Sequence, residues 1–446
     1  MAKELRVEEL TRTTRQEDLD RPHPIYCIWE ITLRCDLGCK HCGSRAGKIR
    51  PAELSTEQCF DVVHQLADLG LREVVLVGGE AYLRDDWTEI AREIVKCGML
   101  CGMTTGARNL TQERVQQAAE AGMSNISVSI DGLEGTHDAL RGAKGSWQAA
   151  KRAASFIQKT PIQLSCNTQI NRLSMPELRD IANLLVEWGV KAWQIQLTVA
   201  MGRAADRPEL LLQPYELLEL YPLLAEIKQD ILVPNNIGLF PANNIGYFGP
   251  YERILRAGGE RGVHWSGCPA GQWALGIEAD GLVKGCPSLP TKTYAGGNIL
   301  DMSLEDLVYN TEPINGIKQR TVEDLWGFCR TCYYAEICKA GCNWTSHSLL
   351  GKPGNNPYCI HRALELEKQG KRERVAKVHN ADGLPFDHGR FEIVEESWDN
   401  ALESPSLEAL RASLAPEQAT WTREELDRIL KKIDVEATNQ ESSPSS

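Results

Sequence analysis

No run of about 18 apolar residues occurs anywhere in the 446-residue chain, so no transmembrane helix is expected. The opening stretch, residues 1–24, is charged and lacks the apolar core of a secretion signal. A cytoplasmic location follows as the expectation. Positive charge is in deficit: 49 Lys and Arg stand against 61 Asp and Glu, a formal net charge of -12. That balance argues against non-specific binding to nucleic acid or to an anionic membrane. It is compatible with a basic peptide partner. Charged residues (25%) and hydrophobic residues (42%) stand at the levels of a soluble globular protein, and the length calls for two or three folding units.

What the chain does have is cysteine, 15 residues of it. Disulfides are rare in the expected compartment, which leaves metal binding as the leading explanation. The distribution is uneven. Three cysteines lie between Cys35 and Cys42 and seven between Cys268 and Cys359. The other five (Cys27, Cys59, Cys97, Cys101 and Cys166) are scattered among apolar residues and read as small hydrophobic core residues.

From about residue 25 to 200 strand-like and helix-like patterns alternate. Strands are expected at 25–32, 73–79, 99–106, 125–131, 163–171 and 192–198. In the intervening FDVVHQLADLG, Phe60, Val63, Leu66 and Leu69 fall on one stripe. Ser55 to Gln58 and Ser174 to Glu177 have capping-box form, and Gly70, Gly98, Gly122 and Gly189 stand where helices should end. Six such units imply an α/β fold, a partial, open (β/α)6 barrel with its chemistry at the C-terminal ends of the strands. The division expected is an extension at 1–24, the barrel at 25–230, a helical bridge at 231–263, a small cysteine-rich domain at 264–362 and a tail at 363–446. Within the tail, 363–383 reads as a charged helix and 384–446 as a weakly ordered polar stretch with two short helices.

Cys35-x3-Cys39-x2-Cys42 follows directly on the first strand. Three thiolates on a four-iron cluster leave one iron without a protein ligand. A closed zinc site takes four protein ligands, so the trio does not suit one. Gly78-Gly79-Glu80 follows the second strand, and Ser129 and Asp131 end the fourth. Together these residues resemble the radical S-adenosylmethionine (SAM) superfamily. The resemblance implies that Cys35, Cys39 and Cys42 hold a [4Fe-4S] cluster whose open iron chelates SAM, and that one-electron cleavage of SAM yields a 5′-deoxyadenosyl radical. It further implies that Gly78, Gly79 and Glu80 hold the SAM amino group and that Ser129 and Arg141 hold its carboxylate. Thr105 and Asn167 are candidates for polar contacts, and Gln196 and Met201 for the adenine side. His41 departs from the family pattern, which places an aromatic residue before the third cysteine; it is a candidate to lie against the adenine. For Asp131 a functional role and a turn-capping role stand equally open.

The second group reads Cys268-x12-Gly281-x4-Cys286, then Cys329-x2-Cys332-x5-Cys338-x3-Cys342-x16-Cys359. Seven thiolates exceed the four that one four-iron cluster takes. Cys329-x2-Cys332 alone would suit a ribbon-type zinc site; the seven positions with Gly281 resemble the SPASM domain. That resemblance implies two auxiliary [4Fe-4S] clusters. Cys329, Cys332, Cys338 and Cys359 would hold the outer one, and Cys268, Cys286 and Cys342 the inner one, which is left a ligand short. His264 is a conceivable fourth ligand.

The resemblances cover about residues 25 to 362 and imply an enzyme that modifies a ribosomally made precursor peptide, of the mycofactocin-maturase or splicease kind. Only about 24 residues precede the first strand, too few for a leader-binding winged helix, so a separate recognition protein is expected. A flavodoxin or ferredoxin is expected as reductant. Two other readings stay open: a cofactor-pathway enzyme acting on a small molecule such as a tetrapyrrole side chain, and a non-catalytic iron–sulfur electron carrier.

Overall fold

The computed structural model describes residues 12, 14–20, 22–256, 264–265, 267–400 and 405–414. All six expected strands form: β1 (Tyr26–Thr32), β2 (Glu73–Gly78), β3 (Leu100–Thr105), β4 (Asn125–Ser129), β5 (Gln163–Ile170) and β6 (Ala192–Leu197). They pair in parallel in chain order with helices between them. Trp29, Leu76, Met103, Val128 and Trp193, one from each of five strands, are fully buried, as expected for sheet strands covered by helices.

Local signals set the helix ends. Ser55 caps the helix Thr56–Asp68 with the reciprocal Gln58 bond of a capping box. That helix buries Cys59, Val62, Val63 and Leu66, while Phe60 and Leu69 are half-buried at the edge of the same face. The four end glycines all have positive φ. Ser174 does not cap. Its hydroxyl accepts from Asn171 N (2.8 Å), and a 3-10 turn, Met175–Glu177, precedes the helix Leu178–Glu187. Glu177 is drawn away to Leu133 N (2.7 Å) and Thr136 Oγ1 (2.6 Å).

Two expectations need correction. The stretch read as a helical bridge contains a seventh parallel strand, β7 (Gly238–Pro241), on the free edge of β6. Four residues with only Leu239 buried carry too short a pattern to be read as a strand. The charged run after residue 367 is also no helix. The helix Ile360–Glu367 ends there, and β11 (Lys371–His379) and β12 (Arg390–Ser397) form an antiparallel hairpin. Its charges pair across the strands, Lys371 with Glu395 and Arg372 with Glu396, instead of along a helix face. In the stretch expected to be weakly ordered, the helix Leu407–Ser413 seats Leu410 and Leu414 against Ala139, Leu140, Leu173 and Leu210. The expected order of 415–446, and of most of the N-terminal extension, lies outside the described residues.

In the cysteine-rich region, β8 (Ala274–Ile277) pairs in parallel with β1, and β9 (Leu282–Lys284) and β10 (Ala295–Asn298) continue the sheet antiparallel. One ten-stranded sheet therefore runs through both regions, with β1 between β2 and β8. Gly281 makes the β8–β9 turn at φ +89°, and a Cβ there would stand 2.7 Å from Asn298 Oδ1.

Candidate active site

The loop after β1 carries the first cysteine trio. Cys35, Cys39 and Cys42 cluster with Leu37 and Ala143, and none is in a disulfide. The loop is pinned from several sides: Cys35 N donates to Gly47 O (3.2 Å), Lys40 N to Leu140 O (2.7 Å) and Arg203 Nη1 to Cys39 O (2.9 Å). It lies directly on the β2 end, where a Cβ on Gly79 would come 2.0 Å from Arg34 O and 2.7 Å from Cys35 Cβ. Glycine is required there by that approach. Burial, then Glu80, push the Cys35 thiol well above its ordinary range, and burial raises Cys39 to about 11 against the pull of Arg141. The raised Cys35 and Cys39 thiols stay protonated unless positive charge joins them, and Cys42 converges on them. They are a donor set that fits the three-cysteine side of a [4Fe-4S] cluster.

Glu80 is buried beside this trio. Its carboxylate receives Thr105 Oγ1 and Gly106 N (2.7 Å). Burial, then Asp36, push it up to about 8. Asp36 is itself buried, receives Tyr82 Oη on Oδ2 (3.2 Å), and has no hydrogen-bond partner on Oδ1. Two buried carboxyls and an orphaned oxygen beside the cysteines suit a ligand carrying an ammonium and a sulfonium, as SAM does.

Asp131 is fully buried and joins three groups. Arg141 Nη2 lies 2.6 Å and His41 Nε2 3.0 Å from its Oδ2, and Gln169 N donates to its Oδ1 (2.9 Å). Burial opposes ionisation, but Arg141 and then His41 outweigh it and hold the carboxyl far below its ordinary value. Arg141 Nη1 also reaches Cys39 Sγ (3.7 Å). Asp131 therefore orients Arg141 toward the trio. Ser129 Oγ donates to Asn167 Oδ1 (3.2 Å), which places two more of the predicted residues side by side.

The second set of cysteines separates into two groups. Cys329, Cys332, Cys338 and Cys359 line one small chamber with Phe248, Phe328 and Tyr334. Cys268, Cys286 and Cys342 form a second group, close enough for Cys268 to raise both of the others and for Cys286 to raise Cys342. Burial holds Cys286 up at about 11 and Cys342 at about 12. Cys286 takes a hydrogen bond from Ser288 and Cys342 one from Thr345. The His264 ring stacks on Phe248 (5.6 Å), which stacks on Tyr334 (4.2 Å) at the outer group.

A cavity of about 250 Å³ joins the two regions. His41, Gly43 and Ser44 border it from the first cysteine loop, Gly78, Gln169 and Gln196 from the strand ends, and Pro287, Ser288 and Trp344 from beside the inner trio. Met201 lines it as well, with Trp344 Nε1 3.0 Å from its sulfur. A second, more open cleft of about 520 Å³ reaches Cys35, Lys40 and Arg203 on another side of the loop.

The family description "Radical SAM superfamily" matches residues 29–189. The chain carries a radical SAM domain. Over 354 residues the chain is 28% identical to the AdoMet-dependent heme synthase of Methanosarcina barkeri, covering 76% of this chain and 97% of that one. It is 27% identical to mycofactocin maturase MftC of Mycobacterium ulcerans, covering 79% and 93%. Streptococcus suis SuiB bound to its precursor peptide SuiA superposes with a TM-score of 0.60 at 16% identity, over 75% of each chain, a likeness of fold. The radical SAM domain spans β1 to the end of the helix after β5, and with it every residue predicted for SAM except Gln196 and Met201.

Sequence reasoning missed part of the cavity wall. Arg50 bridges Glu30 (2.7 Å) and Glu278 (2.9 Å), and Lys284 is 2.6 Å from Glu278. A charged residue inside the apolar run IYCIWEIT was the available signal for Glu30. Asp36 and Phe386 had no local signal.

Among the described residues no helix is long and apolar enough to cross a membrane.

Proposed function

We propose that this protein cleaves SAM reductively and uses the product to modify one side chain of a ribosomally made precursor peptide. In this proposal Cys35, Cys39 and Cys42 hold the SAM-binding cluster. Cys268, Cys286 and Cys342 hold an inner auxiliary cluster with an open iron, and Cys329, Cys332, Cys338 and Cys359 hold an outer one. When bound, cluster and SAM supply a 5′-deoxyadenosyl radical. The chain's own residues do the positioning. Glu80 and the Gly78–Gly79 backbone receive the SAM amino group, and Arg141, oriented by Asp131, and Ser129 receive its carboxylate. Thr105 and Asn167 keep Glu80 and Ser129 in place, and Gln196 borders the adenine side.

The observation that carries the reading is the cavity bordered by His41, Gly43 and Ser44 of the first cysteine loop and by Pro287 and Ser288, which follow Cys286 in the chain. Relatives named mycofactocin maturase and PqqA peptide cyclase support the peptide reading. The reading includes a separate leader-binding protein and a flavodoxin or ferredoxin donor, for which the cleft beside Lys40 and Arg203 gives access to the trio. A second reading, modification of a tetrapyrrole side chain, is favoured by the heme synthase relatives. The two are separated by incubating the reconstituted enzyme with SAM, dithionite and either a small peptide encoded beside the gene or a tetrapyrrole bearing carboxylate side chains. A mass change in the peptide supports the first reading; a change confined to the tetrapyrrole replaces it with the second.

A further inference from the structure

The cavity has one wall that neither the barrel nor the cysteine-rich region supplies. Phe386, from the loop joining β11 to β12, enters it beside Trp344 and Met201. That loop is fastened to the cysteine-trio side of the site. Arg45, three residues after Cys42, donates from Nε to Asp387 Oδ1 (2.8 Å), and Gly202 N donates to Asp387 O (2.8 Å). His388 forms an isolated antiparallel bridge with Met201. The other carboxylate oxygen of Asp387 accepts from Gly383 N (2.5 Å) and Leu384 N (3.0 Å), which closes the turn.

These bonds hold Phe386 at φ +54°, a left-handed conformation that bulky residues avoid. Such a conformation persists where its surroundings over-determine it, and it concentrates at ligand sites. The ring meets a cation from each region, with Lys284 Nζ 3.8 Å and Arg50 Cζ 6.0 Å from its centroid. Lys284 and Arg50 are held in turn by Glu278 and Glu30. The ring is thus clamped between the first cysteine loop and the ion pairs beside the inner trio, facing the space between them.

We infer that Phe386 is a ligand-contacting residue. It forms the wall of the chamber in which SAM meets the substrate, and with Trp344, Met201 and Val199 it fits an apolar or aromatic side chain. The inference rests on the reading of this cavity as the SAM and substrate site.

The test is footprinting of the reconstituted holoenzyme. In a Phe386→Cys variant, maleimide labelling of the introduced thiol is followed by peptide mass spectrometry with and without SAM. A Met302→Cys variant, at an exposed position outside the cavity lining, serves as reference. SAM is expected to slow labelling at position 386 at least about fivefold and to leave position 302 unchanged. In parallel, amide exchange of the wild-type 380–390 segment, which needs no substitution, is expected to slow on SAM addition. Equal labelling and equal exchange with and without SAM, in protein shown by equilibrium dialysis to bind SAM, overturn the inference alone. Failure of the wild type to bind SAM overturns the reading of the cavity and the inference with it.

Discussion

Asp131 ties together the buried groups beside the first cysteine trio. It holds the guanidinium of Arg141 and the ring of His41 in a fully buried place. Breaking a buried pair by removing one charge costs about 3–5 kcal/mol, because the partner stays buried without compensation. Asp131→Asn is therefore expected to lower the thermal midpoint by several degrees and to weaken SAM binding at least tenfold, read by scanning calorimetry and equilibrium dialysis. Unchanged SAM affinity would show that Arg141 is oriented by something else. His137 gives a pH dependence. Burial, then Arg141, push its imidazole down to about 3, and its Nδ1 accepts from Asp131 N (3.2 Å). The unfolded chain takes up this proton near pH 6.5, so between about pH 6.5 and 3 the unfolded state binds more protons. Stability from this group is complete above about pH 6.5 and falls by about 1.4 kcal/mol per unit as the pH drops. The thermal midpoint of the wild type should fall more steeply over pH 6.5 to 5 than that of His137→Gln; parallel curves would contradict the assignment. At this scale the sequence disclosed residues that carry a spacing, the ten clustered cysteines and Gly78-Gly79-Glu80. Asp36, Arg50 and Phe386 owe their places to contacts distant in the chain, which no local pattern encodes.

At the scale of elements, the six barrel strands were legible because strands buried on both faces read as apolar runs bounded by turns. The β11–β12 hairpin was not, because its half-exposed, charge-rich strands pair with each other and match a solvated helix equally well. Strand β7 was too short to show a period. The site depends on how closely the loop after β1 approaches the end of β2, and Gly79 is the point of closest passage. Gly79→Ala places a methyl 2.0 Å from a backbone carbonyl, so the cysteine loop must shift. The expected result is loss of about four irons per chain, the content of one cluster, with the auxiliary irons retained. Iron analysis with electron paramagnetic resonance reads this, and full iron content with a wild-type spectrum would contradict it.

Across the whole molecule, β8 extends the sheet from β1, so the cysteine-rich region is registered to the barrel by backbone hydrogen bonds. Residues beside the inner trio thereby border the same cavity as residues of the first cysteine loop. Replacing Cys268, Cys286 and Cys342 together with alanine is expected to remove about four irons. SAM cleavage should continue while substrate modification is lost; unimpaired modification would exclude the inner trio from the reaction. The separation of seven cysteines into a quartet and a trio was legible from spacing read through a resemblance. The closing of the cavity by the C-terminal hairpin was not, since that contact joins Asp387 to Arg45 across most of the chain. The central claim, that the first trio makes this chain cleave SAM, is tested most directly by 5′-deoxyadenosine formation. The anaerobically reconstituted protein is given SAM and dithionite beside a variant combining Cys35→Ala, Cys39→Ala and Cys42→Ala. The account predicts product from the wild type and none from the variant. No product from wild-type protein holding about twelve irons, the content of three four-iron clusters, would contradict it and leave an electron carrier in its place.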